Sequence, residues 1–264
     1  MQVRTSGIGR VVFWGGGSLW IGHAMAPSEL HAHHAIQIAF GLDGPIELRT
    51  GITMPWGSFS GALVPPDLPH EYRATGRHVA NVFFEPETPL GRRLLERFGR
   101  GGLASIDAEE ARRVTAPLAD AFASSAADEI LEEKARAVLA QLAGGAAPRS
   151  STDRRILRAT SWIAAHLDES LTLAQAAAVA GLSEGRFRHL FVAETGIAFR
   201  PYVLWSRLNR ALELGFGGTS WTEAAHAANF ADSAHLTRTC RRMFGLVPTS
   251  LRIRQAASAA EASA

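Results

Sequence analysis

Two groups of residues in this 264-residue chain could do chemistry. The first is His31, His33 and Gln37, joined by His70 after the proline-rich run Pro65 to Pro69. On an extended strand successive side chains alternate, so His31, His33, Ala35 and Gln37 share one face and His34, Ile36, Ile38 and Phe40 the other. Imidazoles and an amide on one side can line a pocket and hydrogen-bond an organic ligand or one another. They can also hold Zn²⁺, Fe²⁺ or Ni²⁺. The pocket reading is preferred and no cofactor is expected. His34 reads as a surface or packing residue. Trp20 and Trp56 join the candidate ligand-binding set, and Phe13 and Trp14 are further aromatic candidates beside their commoner role as core.

The second group is arginine. Residues 150–264 carry 13 basic side chains, all arginine, against 9 acidic ones, whereas residues 1–149 carry 14 against 16. A near-neutral first half and an arginine-bearing second half point to phosphate as a partner of the second half. Arginine also presents a rigid fork that grips O6 and N7 of guanine with two bonds.

The elements that must position these groups differ between the halves. Residues 1–87 are punctuated by glycine and proline between short alternating runs such as Val79 to Phe84, the pattern of an all-β sandwich or barrel. Residues 88–143 change to helical spacing, with Leu90, Leu94, Leu95 and Phe98, then Val114, Leu118, Ala121 and Phe122. Ile130, Leu131, Lys134, Val138, Leu139 and Leu142 form a stripe that either packs on the barrel or pairs with a second copy of the chain. Residues 144–153 have the composition of a linker. Residues 154–254 read as helical to about Arg254, and 255–264 as a frayed tail.

Two similar units lie in that helical region. In the first, a helix opening at Leu171-Thr172 buries Leu173, Ala176, Ala177 and Ala180. Gly181 then turns the chain, and a helix capped by Ser183 buries Phe187, Leu190 and Phe191. In the second, Trp221, Ala224, Ala225 and Ala228 line the first helix. Asn229 takes the turn position, Asp232 or Ser233 caps, and Leu236, Cys240, Met243 and Phe244 face inward. Phe199 to Phe216 is one helix between the units. Helix, tight turn, capped helix with a polar outer face is the helix-turn-helix layout.

Residues 154–254 resemble the DNA-binding domain of the AraC/XylS transcription regulators. The resemblance rests on SLTLAQAAAVAGLSEGRFRHLFVAETG, on Pro201-Tyr202, Arg207-Leu208 and Ala211, and on WTEAAHAANFADSAHLTRTCRRMFGLVP. The histidine region resembles the cupin barrel that many such regulators carry as a sensor; the resemblance places any metal on His31, His33 and His70, with Gln37 where that pattern has the carboxylate that iron and manganese usually need. The implied fold is an α+β multidomain chain. A cupin-like β-barrel with added helices precedes an all-α domain of two helix-turn-helix units joined by a linker helix. The implied function is a cytoplasmic, non-enzymatic, ligand-controlled activator. Its partners would be double-stranded promoter DNA, a small-molecule effector, RNA polymerase and a second copy of the chain.

The resemblance places base reading on Gly185, Arg188 and His189, with Ser183 and Glu184 near the backbone, and on Ser233, Ala234, His235 and Arg238. Arg186, Arg241 and Arg242 are expected at phosphates. Asn229 stands where the family has glycine and implies a slightly strained turn. Cys240 replaces a phenylalanine, and Gly185 offers no side chain. Two other readings stay open: a metal-dependent cupin enzyme with a DNA-binding tail, and a constitutive DNA binder with a scaffold barrel. No catalytic triad, phosphate loop or dinucleotide fingerprint is present, and Gly15-Gly16-Gly17 lacks the helix such loops need. The lone Cys240 allows no intrachain disulfide. No apolar run approaches the ~18 residues of a membrane helix.

Overall fold

The computed structural model describes residues 5–144 and 151–254. Most of the expected linker 144–153 and all of the tail 255–264 lie outside the described residues. Eight strands come first: β1 (Gly7–Trp14), β2 (Gly17–Ala24), β3 (Ile36–Gly41), β4 (Ile46–Arg49), β5 (Gly57–Phe59), β6 (Gly61–Val64), β7 (Glu71–Arg73) and β8 (Arg77–Phe84). Then follow α1 (Pro89–Phe98), a short β9 (Ala104–Ile106), α2 (Ala108–Ala123) and α3 (Asp128–Ala143). The strands form one sheet of order β1-β2-β8-β3-β6-β9, extended at the β1 edge as described below, and a second of order β5-β4-β7.

Alternation along β3 divides two cores. Ile36, Ile38 and Phe40 face helices, joining Leu19 and Val82 with Leu94, Val114 and Leu118. Ala39 faces the other way, among Ile46, Leu48, Ala62, Val64 and Val79 between the two sheets. Leu131, Val138, Leu139 and Leu142 of α3 are buried in the first of these cores, and Ile130 alone of the stripe's large apolar residues is exposed, at 41%. The stripe offered to a second copy is thus covered within the chain. A sheet face of large aliphatic residues must be shielded from water, and the nearest amphipathic helix supplies the cover.

The second half contains α4 (Arg154–Ala165), α5 (Leu173–Ala180), α6 (Glu184–Thr195), α7 (Phe199–Phe216), α8 (Trp221–Ala227) and α9 (Ser233–Phe244). It is not helical to Arg254. After the left-handed Gly245, residues Pro248–Ser250 make one 3-10 turn, and β10 (Leu251–Ile253) pairs in parallel with β1. Pro248 cannot continue a helix, and the alternating Leu-Arg-Ile suits the open edge of β1, with Arg254 N–H donating to the Gly9 carbonyl at 2.7 Å.

The helix starts are built by local capping. Thr172 and Gln175 form a reciprocal capping box on α5, so that helix opens two residues later than its apolar pattern suggests, and Ser220 and Glu223 repeat the device on α8. Gly181 takes φ 68° in the first turn. Asn229 takes φ 56° in the second, and its amide donates to the Asp168 and Glu169 carbonyls at 3.2 and 2.7 Å. The expected strain is therefore offset by two bonds that glycine could not make. Asp232, not Ser233, caps α9, while Ser183 occupies the cap position of α6 without a side-chain cap bond. Phe187, Phe191, Leu236, Cys240 and Phe244 are buried, but Leu173, Leu190 and Met243 are only half-buried. The 18-residue α7 joins the units and, at 1.5 Å per residue, is ~27 Å long.

Candidate functional site

The outer faces of α6 and α9 are exposed and bear arginine. Ser183, Glu184, Gly185, Arg186, Arg188 and His189 are all exposed. On α9, Ala234, Arg238, Arg241 and Arg242 are exposed, and Ser233 and His235 half-buried. The buried phenylalanines of α6 and the buried Leu236, Cys240 and Phe244 of α9 anchor the opposite faces. Each helix therefore presents its polar side outward on a fixed base. Arg241 lies 3.7 Å from Glu29 of the first half, both well exposed, a weak pairing.

His31, His33 and His70 come together. One ring nitrogen from each lies within 4.8 Å of the others, and all three residues are buried. A backbone bridge pairs His31 with His70 and sets two of the rings side by side, 4.1 Å apart. Every Nδ1 faces a main-chain carbonyl: Glu29 at 2.8 Å for His31, Ala35 at 2.9 Å for His33 and Leu68 at 2.8 Å for His70. Gln37 Oε1 sits between two of the rings, 3.1 Å from His33 Nε2 and 3.0 Å from His70 Nε2. The Gln37 amide donates in turn to Asn81 Oδ1 at 2.9 Å.

Burial, aided by the neighbouring imidazole, holds His31 down to about 3. Burial takes His70 to about 2, helped by His31 and His33. It holds His33 at about 4 against the raising effect of Gln37. All three are neutral at pH 7. Their folded values lie below the ordinary 6.5, so the stability they contribute is complete above 6.5 and is lost as pH falls through those values.

His34 is buried rather than at the surface, and its Nε2 lies 3.3 Å from Glu87 Oε2. Trp56 lies apart from the histidines, under the Arg49 and Arg73 guanidinium groups at 4.6 and 4.2 Å.

The cluster is roofed by the second half. His33 sits between Phe83 of β8, Trp205 of α7 and Phe244, the last residue of α9, at centroid distances of 5.3, 6.2 and 6.0 Å. Trp20 stacks on Phe244 at 4.9 Å. Gly245 accepts a bond from Glu29 N–H at 2.8 Å. A Cβ there would lie 2.3 Å from the Glu29 carbonyl oxygen and 2.6 Å from His31 Nδ1, so only glycine lets the end of α9 approach so closely.

Beside the cluster is a cavity of about 110 Å³ with a mainly apolar lining. Trp20, Val79, Tyr72 and Asn81 wall it on the barrel side, Phe244, Leu246, Leu251 and Ile253 on the other, and His31 and Gln37 line one part of it. The sequence patterns did not single out Tyr72, Asn81 or these four C-terminal residues for this role. Asn81 left one signal, an amide on the inward-facing positions of an otherwise apolar strand.

A larger cleft of about 750 Å³ separates the halves elsewhere, with Glu85 and Glu87 in its lining. Burial first, and the Glu87 charge second, push Glu85 up to about 8. Glu85 keeps some surface toward the cleft, but protein atoms surround it closely and dominate its desolvation. The folded state thus holds a proton that the unfolded chain releases near the ordinary 4.5. Stability from this group is present below 4.5 and is lost as pH rises through about 8. Between 6.5, where the histidine contribution is complete, and about 8, the melting temperature is expected to fall, and Glu85→Gln to flatten the fall. Parallel melting curves for the two proteins across that range would contradict the assignment.

Two helix-turn-helix units, each with an exposed arginine-bearing second helix, packed against a β-rich partner with a cavity between them, define a DNA-binding protein of regulator type. Residues 176–254 match the family model described as a helix-turn-helix domain. Over 99 residues, 37% of this chain and 33% of the relative, the sequence is 33% identical to the uncharacterized HTH-type transcriptional regulator YidL of Escherichia coli, so the chain spans about a third of that protein. Over 227 residues, 83% of this chain and 90% of the relative, it is 24% identical to the probable transcriptional regulator LumQ of Photobacterium leiognathi. The crystal structure of ToxT from Vibrio cholerae has the same fold, with TM-score 0.58 over 88% of this chain and 95% of that one at 10% identity. Residues 176–254 are thus a helix-turn-helix domain, and over most of its length the chain is similar to a transcription regulator.

Proposed function

We propose that this protein binds promoter DNA in a sequence-specific way through α6 and α9, under the control of a small, largely apolar effector in the cavity beside the histidines. The supporting observation is the make-up of that cavity. Its walls come from the barrel on one side and from the end of α9 and β10 on the other. A ligand there bears on the base of the second recognition helix and favours whichever placement of the helix accommodates it better. At ~10–15 Å³ per water-sized sphere, the cavity suits a ligand of about ten non-hydrogen atoms. ToxT has been captured with an unsaturated fatty acid bound; a long acyl chain exceeds the space available here. The direction of control follows the family resemblance, activation with RNA polymerase as partner. One chain already supplies two reading helices, so two half-sites need no second copy.

Arg188 and Arg238 read bases in this account, and Arg186 and Arg242 hold phosphates. Arg242→Ala is expected to weaken binding about equally on every sequence and to reduce the salt slope by about one. A changed base preference would remove Arg242 from the phosphate set. The effector reading is tested by screening small apolar compounds for a rise in melting temperature. A hit should lose its effect in Val79→Phe, which fills the cavity, and should change DNA affinity in the unmodified protein. Hits indifferent to Val79→Phe would place the effector elsewhere.

A further inference from the structure

The cleft between the halves is a second space, and its lining shares only Phe83 with that of the effector cavity. Its first-half wall is Trp14, the Gly15-Gly16-Gly17 turn between β1 and β2, and the segment that holds Glu85 and Glu87. The regulator reading leaves the three glycines without a role. Here they keep the wall free of side chains: a Cβ at Gly16 would stand 3.6 Å from Glu85 Oε2, and its absence leaves that oxygen open. The second-half wall comes from α4 and α7, with Tyr202 and Trp205 on α7.

The carboxyl groups of this wall are short of donors. Glu87 is only 4% exposed. Its Oε2 lies against His34 Nε2, but its Oε1 is buried with no hydrogen-bond partner. No hydrogen bond or ion pair among the described residues reaches the Glu85 carboxyl. Nearby arginines are engaged elsewhere. Arg92 donates to the main-chain oxygen of Glu87, to Thr152 and to Glu194, and Arg210, in the lining, pairs with Glu213 at 2.9 Å. A buried carboxylate oxygen without a donor gives up its hydration and gains nothing in return. Two carboxyls within reach of each other add repulsion, which the empty cleft relieves by keeping a proton on Glu85. Burial first, and then the charges of Glu85 and Glu87, push the Tyr202 hydroxyl well above its ordinary 10, so an aromatic side chain stands near both carboxyls. Carboxylates among tryptophan and tyrosine rings suit a desolvated organic cation, and an anion would meet the repulsion already present.

We propose that this cleft binds an organic ammonium ion, its N–H groups donating to Glu85 and Glu87 and its apolar body lying among Trp14, Tyr202 and Trp205. A primary amine on an aromatic body supplies the donors that Glu87 Oε1 lacks. The cleft, about 750 Å³, is of the size that holds small organic ligands. Its walls come from both halves, and α7 joins the two helix-turn-helix units, so an occupant bridges the barrel and the frame that spaces those units. Binding itself does not depend on the regulator reading.

Isothermal titration calorimetry of the full chain with 2-phenylethylammonium chloride tests this. One equivalent is expected to bind. Glu85→Gln and Glu87→Gln should each weaken it at least ~10-fold by removing a charged acceptor. Ser161→Trp, at an exposed position of α4 in the cleft wall, should block binding in a protein whose core is untouched, and circular dichroism verifies each fold. Phenylacetate, a similar body with the opposite charge, should not bind, and Val79→Phe, which fills the effector cavity, should leave the amine's affinity unchanged. No binding heat at millimolar amine, equal binding of phenylacetate, or an affinity indifferent to both glutamine variants would overturn the proposal. So would binding that survives Ser161→Trp but is lost in Val79→Phe, which would put the amine in the effector cavity. Equal competition by ammonium chloride would mark a plain cation site and overturn it too. No DNA is present in these titrations, so a failure here is distinct from a failure of the regulator reading.

Discussion

Phe187→Ala is expected to destabilise the first helix-turn-helix unit by ~3–5 kcal/mol, the usual cost of emptying a fully buried phenylalanine site. The ring is wholly buried, with Phe191 and Phe199 at centroid distances of 5.2 and 6.3 Å. Facing it on α5 are Ala176, Ala177 and Ala180, which have no side-chain length with which to fill the space. Domains are stable by only ~5–15 kcal/mol, so this is a large fraction of the total. Thermal or urea unfolding followed by circular dichroism reads the change. A loss below ~1 kcal/mol would mean that α6 does not rest on this ring, and its outer face would no longer have a fixed base.

Arg238→Ala is the largest effect expected on recognition. Arg238 is exposed midway along α9 and forms no ion pair among the described residues, so its guanidinium is free to meet a base edge. Losing a two-bond contact to guanine costs ~1–3 kcal/mol, roughly 5- to 150-fold in affinity on the cognate site, and relaxes one base position. Competition binding on the preferred site and on its single-base variants measures both. An equal loss on every sequence would make Arg238 a phosphate contact. The stability of the variant should be unchanged, which separates this loss from that of Phe187→Ala.

The fold of the second half was legible because its signals are local. Helical spacing, left-handed turn positions and capping residues lie within a few residues of one another, as at Thr172 to Gln175. The convergence of His31, His33, Gln37 and His70 was legible for another reason, the resemblance to the cupin pattern; of the four only Gln37 lies in β3, His31 and His33 precede that strand, and β3 to β6 intervene before His70. What the sequence hid was long-range. Nothing local says that Leu251 and Ile253 extend the barrel sheet, that Trp205 and Phe244 cover His33, or that Leu131 to Leu142 is used within the chain. Those contacts depend on which surfaces the two halves leave open, and side-chain periodicity does not record that. His34 falls to the packing side of its reading, and its buried partner Glu87, 53 residues away, was hidden for the same cause.

The central claim is that one chain carries two base-reading helices on a rigid frame. Selecting the full-length protein against a randomised DNA pool at fixed salt, and sequencing what is retained, tests it most directly. The account predicts two short motifs with centres about one helical turn apart, ~10–10.5 base pairs, matching successive major grooves. A single motif, or retained DNA with no common sequence, would contradict it.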